Sequence, residues 1–249
     1  MATFGANYPA FCPDDADSGV VFGKLVSANL TVNLASGELY ADDGLAEQAS
    51  EFANGSIAME TDDMEDANAS VVYGCKVENG EVIYNKDDNA PRGRLGYYKV
   101  LMRRGIKKFK TYLYPQARAA LGNDNAQTKG NNITFGTTST TFTIFADDNG
   151  DWRKTKEFTS AADARAHIGL FCKLGEYFSV DVSIQGNGTG EGVSRSHGAY
   201  VAAGQDFVLN IIGTPTKVYD NGEDVTSSIN DGAYTIEDID ADHTIAVIF

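Results

Sequence analysis

Alternation of apolar and polar residues with a period of two is the feature of this sequence that most restricts its fold. Five segments show it, over residues 25–34, 71–76, 97–103, 107–114 and 140–146. A period of two places successive side chains on opposite faces of a β-strand. Turn-forming Gly, Asn and Asp residues separate the segments, and helical periodicity is scarce. The sequence therefore predicts a mainly β fold.

One segment has the pattern of an amphipathic helix. Thr159 or Ser160 is a suitable N-cap before an Ala-rich run. Helical spacing gives that run a single apolar stripe, formed by Ala164, Ile168 and Phe171. We expect one α-helix that ends near Gly175 and flanks one face of a sheet.

The pattern changes near residue 176, because the rest of the chain consists of strand and turn signals alone. Six strands are predicted there, over residues 177–184, 199–201, 207–212, 217–219, 234–236 and 244–249. Two of the turns, 220–222 and 230–232, contain the Asn and Gly residues that tolerate positive φ. We expect two domains, 1–176 and 177–249, of which the second is small and all β.

The charge of the chain argues against adhesion to nucleic acid or lipid. The 249 residues have a formal net charge of −15, which repels phosphate groups. No apolar run is long enough to span a bilayer, and the first residues lack the pattern of a signal peptide. We expect a protein that is made and kept in a cytoplasm, binds no membrane and contacts DNA only transiently.

Residues that usually perform catalysis or bind metals are scattered. The cysteines fit neither a disulfide framework nor a zinc site, being far apart and odd in number, at Cys12, Cys75 and Cys172. The histidines fall in three separate segments, at His167, His197 and His243. The acidic loop 147–151 begins like a calcium-binding loop but lacks its later ligands, so it is interpreted as a turn. The sequence predicts no cofactor, no metal and no catalytic activity; a hydrolase would need an acid and a base that stand apart from the turn carboxylates.

A group of basic residues stands out in this acidic chain, at Arg103, Arg104, Lys107, Lys108 and Lys110. One interpretation is a solvated strand face whose charges protect a sheet edge from unwanted pairing. The other is a subunit contact in which this group meets an acidic rim on the next copy, drawn from Asp42, Asp43 or the run 62–65. Reversing Lys107 and Lys108 to Glu tests the second interpretation.

Residues 39–57 join an apolar strand end to acidic turns. Leu39 and Tyr40 lead into the paired carboxylates Asp42 and Asp43, and an Ala/Glu segment containing Glu47 follows. A second, shorter helix is expected over 45–52. Asn54-Gly55 is then a turn signal before the next strand. The acids have no catalytic partner, so we expect them to shape and solvate this segment.

Further short motifs follow in a fixed order after this segment. They are Gly74, Asn89-Ala90-Pro91, Gly96-Tyr97-Tyr98, Arg104-Gly105, and the stretches 109–114, 128–136, 148–152 and 161–166. Each is short, so their common order carries the specificity. Over residues 1–175 that order resembles the major tail proteins, or tail tube proteins, of long-tailed bacteriophages of the phi13 type.

The resemblance implies a β-sandwich, barrel-forming domain that assembles into stacked hexameric rings and forms the tail tube of a virion. The implied partners are further copies of the chain, a tape-measure protein, a tail terminator and baseplate proteins, with double-stranded DNA passing through an acidic lumen during ejection. Residues 39–57 match by position an extended loop that reaches neighbouring subunits. Such a loop is expected to be mobile in the monomer and ordered in the tube.

The last part of the chain has a resemblance of its own. The runs 219–226, 231–236 and 241–245 look like divergent B-type repeats of bacterial surface proteins. This implies an outward-facing decoration domain able to use weak, multivalent contacts with host-surface glycans. The same resemblance raises the alternative of a bacterial surface or adhesive protein.

Overall fold

Strands make up most of the chain, which confirms the predicted mainly β fold. The computed structural model describes residues 2–41, 44–121, 123–124, 136–186, 188–194 and 199–249. The chain divides into two units, Met1–Leu174 and Gly175–Phe249. Each unit has a hydrophobic core of its own.

The first unit is built around one large antiparallel sheet. Its described elements are β1 (Ala2–Pro13), β2 (Val20–Val21), β3 (Leu25–Ala41), β4 (Gly44–Thr61), α1 (Asp66–Tyr73), β5 (Lys76–Glu78), β6 (Glu81–Ile83), β7 (Arg92–Arg103), β8 (Ile106–Ala119), β9 (Asn123–Asp124), β10 (Thr138–Phe145), β11 (Lys154–Phe158) and α2 (Ala161–Phe171). The strand order is β2-β1-β7-β8-β10-β4-β3, with β11 paired to β8 and β9 to β10; β5 and β6 form a separate hairpin. Hydrogen-bonded neighbours are thus often distant in sequence.

Both faces of the central strands are covered. Tyr97 on β7 belongs to a core on one face of the sheet, which we call the inner face, together with Phe11, Tyr114 and Phe142. The next residue, Tyr98, belongs to a second core on the opposite face. Strands covered on both sides become buried almost continuously, which explains the run of buried residues over 95–98.

Helix α2 covers the outer face of the sheet, as the sequence predicts. The Ser160 hydroxyl caps the helix by accepting a hydrogen bond from the Ala162 amide, at 3.1 Å. Ala164 and Ile168 are fully buried against the sheet. The helix ends at Phe171, before the expected end near Gly175.

Helix α1 was not predicted, because residues 71–76 were expected to form a strand. Ala69, Val72 and Tyr73 are buried at helical spacing. Gly74 ends the helix with a left-handed φ of 72°, and its amide donates to the Ser70 carbonyl. Tertiary burial of one helical face thus overrides the apparent period of two, and the strand begins only at Lys76.

Two predictions for the segment after Tyr40 were wrong. The helix expected over 45–52 is part of strand β4, which pairs with β3 along its whole length. The Asn54-Gly55 turn is also strand, because Gly55 pairs with Val32 on one side and Ile144 on the other. A Cβ at Gly55 would lie 3.3 Å from the Cβ of Ile144, so glycine allows the close approach of β10.

The second unit is a small all-β domain, as predicted. Its described elements are β12 (Tyr177–Gln185), β13 (Gly192–Val193), β14 (Ala199–Ala202), β15 (Phe207–Ile212), β16 (Lys217–Asp220), β17 (Glu223–Asp224), a 3₁₀ turn (Thr226–Ser228), β18 (Ala233–Ile236) and β19 (His243–Ile248). One sheet has the order β14-β12-β19-β16-β17 and the other β13-β15-β18. Val180, Leu209 and Val247 lie in the core that the two sheets share. Asn221 and Gly222 have φ of 48° and 86°, the geometry expected of a tight hairpin turn.

Candidate assembly surfaces

The longest hairpin of the chain, β3–β4, has an outer part that the rest of its unit does not cover. Side chains on both faces of the hairpin are exposed over residues 31–38 and 47–51. Leu34 and Val32 keep 60% and 39% of their surface exposed. We call this part of the hairpin, residues 32–52, the ribbon. A two-stranded ribbon is only marginally stable in water by itself. Because its apolar side chains are exposed, they are available to a partner.

The ribbon also presents an unpaired edge. Strand β3 is the last strand of the large sheet, and on its outer side no partner strand lies among the described residues. An exposed edge offers a row of backbone donors and acceptors to another chain. The described residues of the loop predicted over 39–57 form two paired strands; the mobility of this segment stays a prediction.

An aromatic contact holds the base of the ribbon. The rings of Phe52 and Trp152 are stacked, with centroids 4.7 Å apart and planes 9° apart. The Arg153 guanidinium lies 4.6 Å from the centroid of the Trp152 ring. At the same level, the Asn33 side chain donates to the Asn54 side chain at 2.7 Å, beside a bulge in β4. The β10–β11 loop thus braces the point where the ribbon leaves the sheet.

Positive charge gathers on the inner face of β7 and β8. Lys99 and Lys110 are direct cross-strand partners, and their ammonium groups lie 5.4 and 5.9 Å from the centroid of the Tyr112 ring. Tyr97 stacks against Tyr112 with centroids 5.3 Å apart. Burial lowers the pKa of Lys99, and the nearby charge of Arg153 lowers it further. We call Lys99, Lys110, Arg153 and Tyr112 the basic site.

Carboxylates do not balance the basic site within the described parts of the chain. No ion pair involving Lys99, Lys110 or Arg153 forms between described residues. Glu157 is the direct cross-strand partner of Lys110 on β11, but its carboxylate pairs with Arg103 at 3.1 Å and with Lys108 at 4.0 Å. The three cations therefore face aromatic rings and one another.

The basic residues singled out from the sequence do not form one surface. Arg103, Lys108 and Lys110 share the inner face with Lys99, because side chains alternate along each strand. Lys107 pairs with Met102 on the opposite face, and Arg104 occupies the tight turn with φ of 49°. Sequence reasoning missed Lys99, whose place opposite Lys110 depends on strand pairing, and Arg153, whose charge acts on Lys99.

The predicted assembly residues of the ribbon lie near its far end. Leu39 pairs with Glu47 and Tyr40 with Leu45 in the strand register. The Glu47 side chain is exposed. Asp42 and Asp43 lie outside the described residues.

The acidic run 62–65 has a local structural role. Asp62 Oδ1 accepts hydrogen bonds from the Lys24 amide at 2.6 Å and from the Asp63 amide at 2.9 Å. The bond from Lys24 is the main reason that the pKa of Asp62 is lowered. Asp62 thus fixes the connection between β4 and α1, and the rim contact considered from the sequence stays a prediction.

The polar groups of unit 2 include one buried network. The Asp220 carboxylate accepts from the Tyr234 hydroxyl at 2.7 Å and from His243 Nδ1 at 2.8 Å. Burial, and then the bond to Asp220, raise the pKa of Tyr234. The three residues join β16, β18 and β19, so this network ties the two sheets together.

Metal binding and thiol reactivity both depend on how Cys, His, Asp and Glu side chains are placed. Within the described residues, no group of three or more Cys, His, Asp or Glu side chains is placed to hold a metal ion. The Asp147 carboxylate accepts from the amides of Asn149 and Asp151 and so folds the acidic loop into a turn. Burial raises the pKa of the thiols of Cys12, Cys75 and Cys172. Neither helix in the described part of the chain has the length and apolar character needed to span a bilayer.

Similarity to known proteins is found among solved structures. No family model matches the chain, and no curated protein matches its sequence. Among solved structures, the tube-terminating cap of the anti-feeding prophage, determined by cryo-electron microscopy, has a TM-score of 0.37 at 10% sequence identity. The similarity covers 63% of this chain and 92% of that chain.

Proposed function

We propose that this protein is a non-catalytic structural subunit of a phage-type tail tube, assembled from many copies of itself. The observation that carries the proposal is the uncovered β3–β4 ribbon with its unpaired β3 edge. An edge of this length favours aggregation in a free monomer, and pairing with a second copy removes it. The order of motifs over residues 1–175, which resembles the phi13-type tail proteins, supports the same function.

In this proposal, subunits pair their large sheets into hexameric rings, and ribbons connect each ring to its neighbours. The rings stack around a tape-measure protein between baseplate and tail terminator, and the finished tube is part of the virion. A net charge of −15 supports a conduit role, because a carboxylate-rich wall repels DNA phosphates and lets the duplex pass without binding.

The second unit is proposed to decorate the outside of the tube. It has its own core and two sheets, and many copies on one tube would give weak glycan contacts a multivalent effect. Binding of the full-length protein to host cells in its assembled form, but not as a monomer, is the expected result. A full-length monomer that binds cells equally well would favour the surface-adhesin alternative.

The test of assembly is negative-stain electron microscopy at rising protein concentration, for the wild type and for a variant with a shortened ribbon. Leu34 and Phe52 are register partners, so Asn-Gly can replace residues 35–51 as a two-residue turn that keeps the Phe52–Trp152 contact. We expect rings or tubes of uniform diameter from the wild type and folded monomers from the variant. Tubes from the variant would show that the ribbon is dispensable, and a wild type that never assembles would contradict the function.

A further inference from the structure

The basic site is an arrangement that the folded monomer does not satisfy by itself. Lys99 and Lys110 lie directly opposite each other in the β7–β8 register, and like charges in this position are destabilising. Arg153 adds a third positive charge close enough to lower the pKa of Lys99. The lysines are half-buried over Tyr112, so water screens them less than it screens surface lysines. An anion placed between them would relieve this repulsion.

The ribbon carries acids that lack counterions. Glu47 and Glu51 are both exposed, and neither forms an ion pair or hydrogen bond within the part of the chain that the structure describes. They pair with Leu39 and Ala35 respectively, so they are four residues apart on one face of β4. This corresponds to a spacing of about 13 Å along the strand.

The inner face of β7 offers a matching spacing. Lys99 and Arg103 are also four residues apart on one side of an unbroken stretch of strand, again about 13 Å. Arg103 is held by Glu157 together with Lys108, which leaves that end of the face with two cations for one carboxylate. Two acids on a ribbon can therefore meet cations at both positions.

We propose that the Glu47 and Glu51 carboxylates of the ribbon of a second copy of this chain bind this face of β7 and β8, one at the basic site and the other at Arg103 and Lys108. Between described residues, Glu47 and Glu51 form no ion pair with the basic site of their own chain, and the exposed ribbon that carries them is the segment proposed above to contact other copies. The inference rests on the proposed assembly function and names the residues that set which face each ribbon contacts. Charge pairs of this kind fix register and discriminate against wrong contacts.

The experiment is a charge swap in the full-length protein. The site variant is Lys99→Glu with Lys110→Glu, the ribbon variant is Glu47→Lys with Glu51→Lys, and a third protein combines all four changes. Lys24→Glu with Lys86→Glu is the matched control, because both lysines are highly exposed, with 92% and 88% of the side-chain surface accessible. This control changes the net charge by as much as the site variant does.

Sedimentation velocity and electron microscopy then give the concentration at which assembly begins. We expect the site and ribbon variants each to raise it about tenfold, the combined protein to restore it to within about threefold, and the control to leave it unchanged. If the site variant does not fold by circular dichroism, Lys99→Gln with Lys110→Gln replaces it and is also expected to raise the concentration.

Four results would overturn the inference. A site variant that assembles like the wild type would show that the basic site takes no part in assembly. The proposed assembly function would still stand. A combined protein as impaired as the two separate variants would show that ribbon and site do not meet. Duplex DNA binding by the wild type at about 150 mM salt, lost in the site variant, would assign the site to phosphates. Failure of the wild type itself to assemble would contradict both the assembly function and the contact between ribbon and basic site.

Discussion

The ring of Trp152 lies parallel to that of Phe52, 4.7 Å away, at the point where the β3–β4 ribbon leaves the large sheet. Trp152 comes from the β10–β11 loop, and it is the only tryptophan of the chain. This contact therefore links the direction of the ribbon to the body of unit 1. It also provides a fluorescence signal specific to that unit.

Removing this contact is expected to lower the unfolding free energy of unit 1. Trp152→Ala loses an aromatic pair and partly buried surface, so we expect unit 1 to lose about 2 kcal/mol of unfolding free energy. Urea unfolding followed by circular dichroism measures the loss. Trp152→Phe keeps a stacked ring and is the control, with an expected loss below about 1 kcal/mol. Equal losses in the two variants would contradict a bracing role for the stack.

Relieving the repulsion between Lys99 and Lys110 is expected to have opposite effects on stability and assembly. Lys99→Glu turns a like-charge cross-strand pair into an attractive one, and the other cross-strand partner of Lys99 is the uncharged Ala6, so unit 1 should gain roughly 0.5 kcal/mol. The same change removes a cation from the basic site and should raise the concentration needed for assembly. Urea unfolding followed by Trp152 fluorescence gives the stability. Lys107→Glu, on the opposite face of β8, is the control and should change neither quantity by much.

The half-buried His167 predicts a pH-dependent stability of unit 1. Burial lowers its pKa to about 4, with a further contribution from the charge of Lys156, whereas an unfolded histidine titrates near 6.5. Because the unfolded state takes up the proton first, stability is complete above about pH 6.5 and is lost as the pH falls toward 4. The ring is partly exposed to solvent, so we expect a loss of about 1–2 kcal/mol.

Comparison with His167→Gln isolates this effect from the carboxylates, which titrate over part of the same range. The variant should show a smaller loss of stability between pH 6.5 and pH 4 than the wild type. Thr111 contacts His167 Nδ1 at 3.1 Å, and glutamine retains a polar group for it. Identical pH profiles would show that His167 is not the titrating group.

The hydroxyl of Tyr234 is expected to stabilise unit 2. It donates to the buried Asp220 carboxylate, and hydrogen bonds to charged groups are stronger than neutral ones. We expect Tyr234→Phe to cost about 1–2 kcal/mol, measured from the unfolding of unit 2 by circular dichroism. Trp152 fluorescence should report an unchanged unit 1. Loss of both transitions together would contradict independent unfolding of the two units.

Local sequence signals predicted the elements whose stability depends on neighbouring residues. Helix α2 was found from its cap at Ser160 and its stripe at Ala164 and Ile168, since capping and helical spacing act within a few residues. The hairpin turn at Asn221-Gly222 was found because few residues tolerate its backbone angles. The strands of unit 2 were predicted from the alternation of apolar and polar residues between such turns.

The elements that were missed depend on tertiary contacts. Residues 71–73 are helical because Val72 and Tyr73 reach a core formed by distant strands. Residues 45–52 are strand because β3 pairs with them, although their Ala and Glu content favours a helix. Asn54-Gly55 lies within the sheet because β10 approaches it closely. In each case, burial or pairing with a distant segment outweighed the local preference.

The sequence by itself determined that this chain is a mainly β, acidic protein with a flanking helix and a small β domain at its end. Alternation, turn residues and charge are properties that each segment carries alone. Only the tertiary structure placed Lys99 against Lys110 beside Arg153, and separated Lys107 from Lys108. Those placements are decided by strand register, where a shift of one residue moves a side chain to the other face, and register is set by the pairing of the whole sheet.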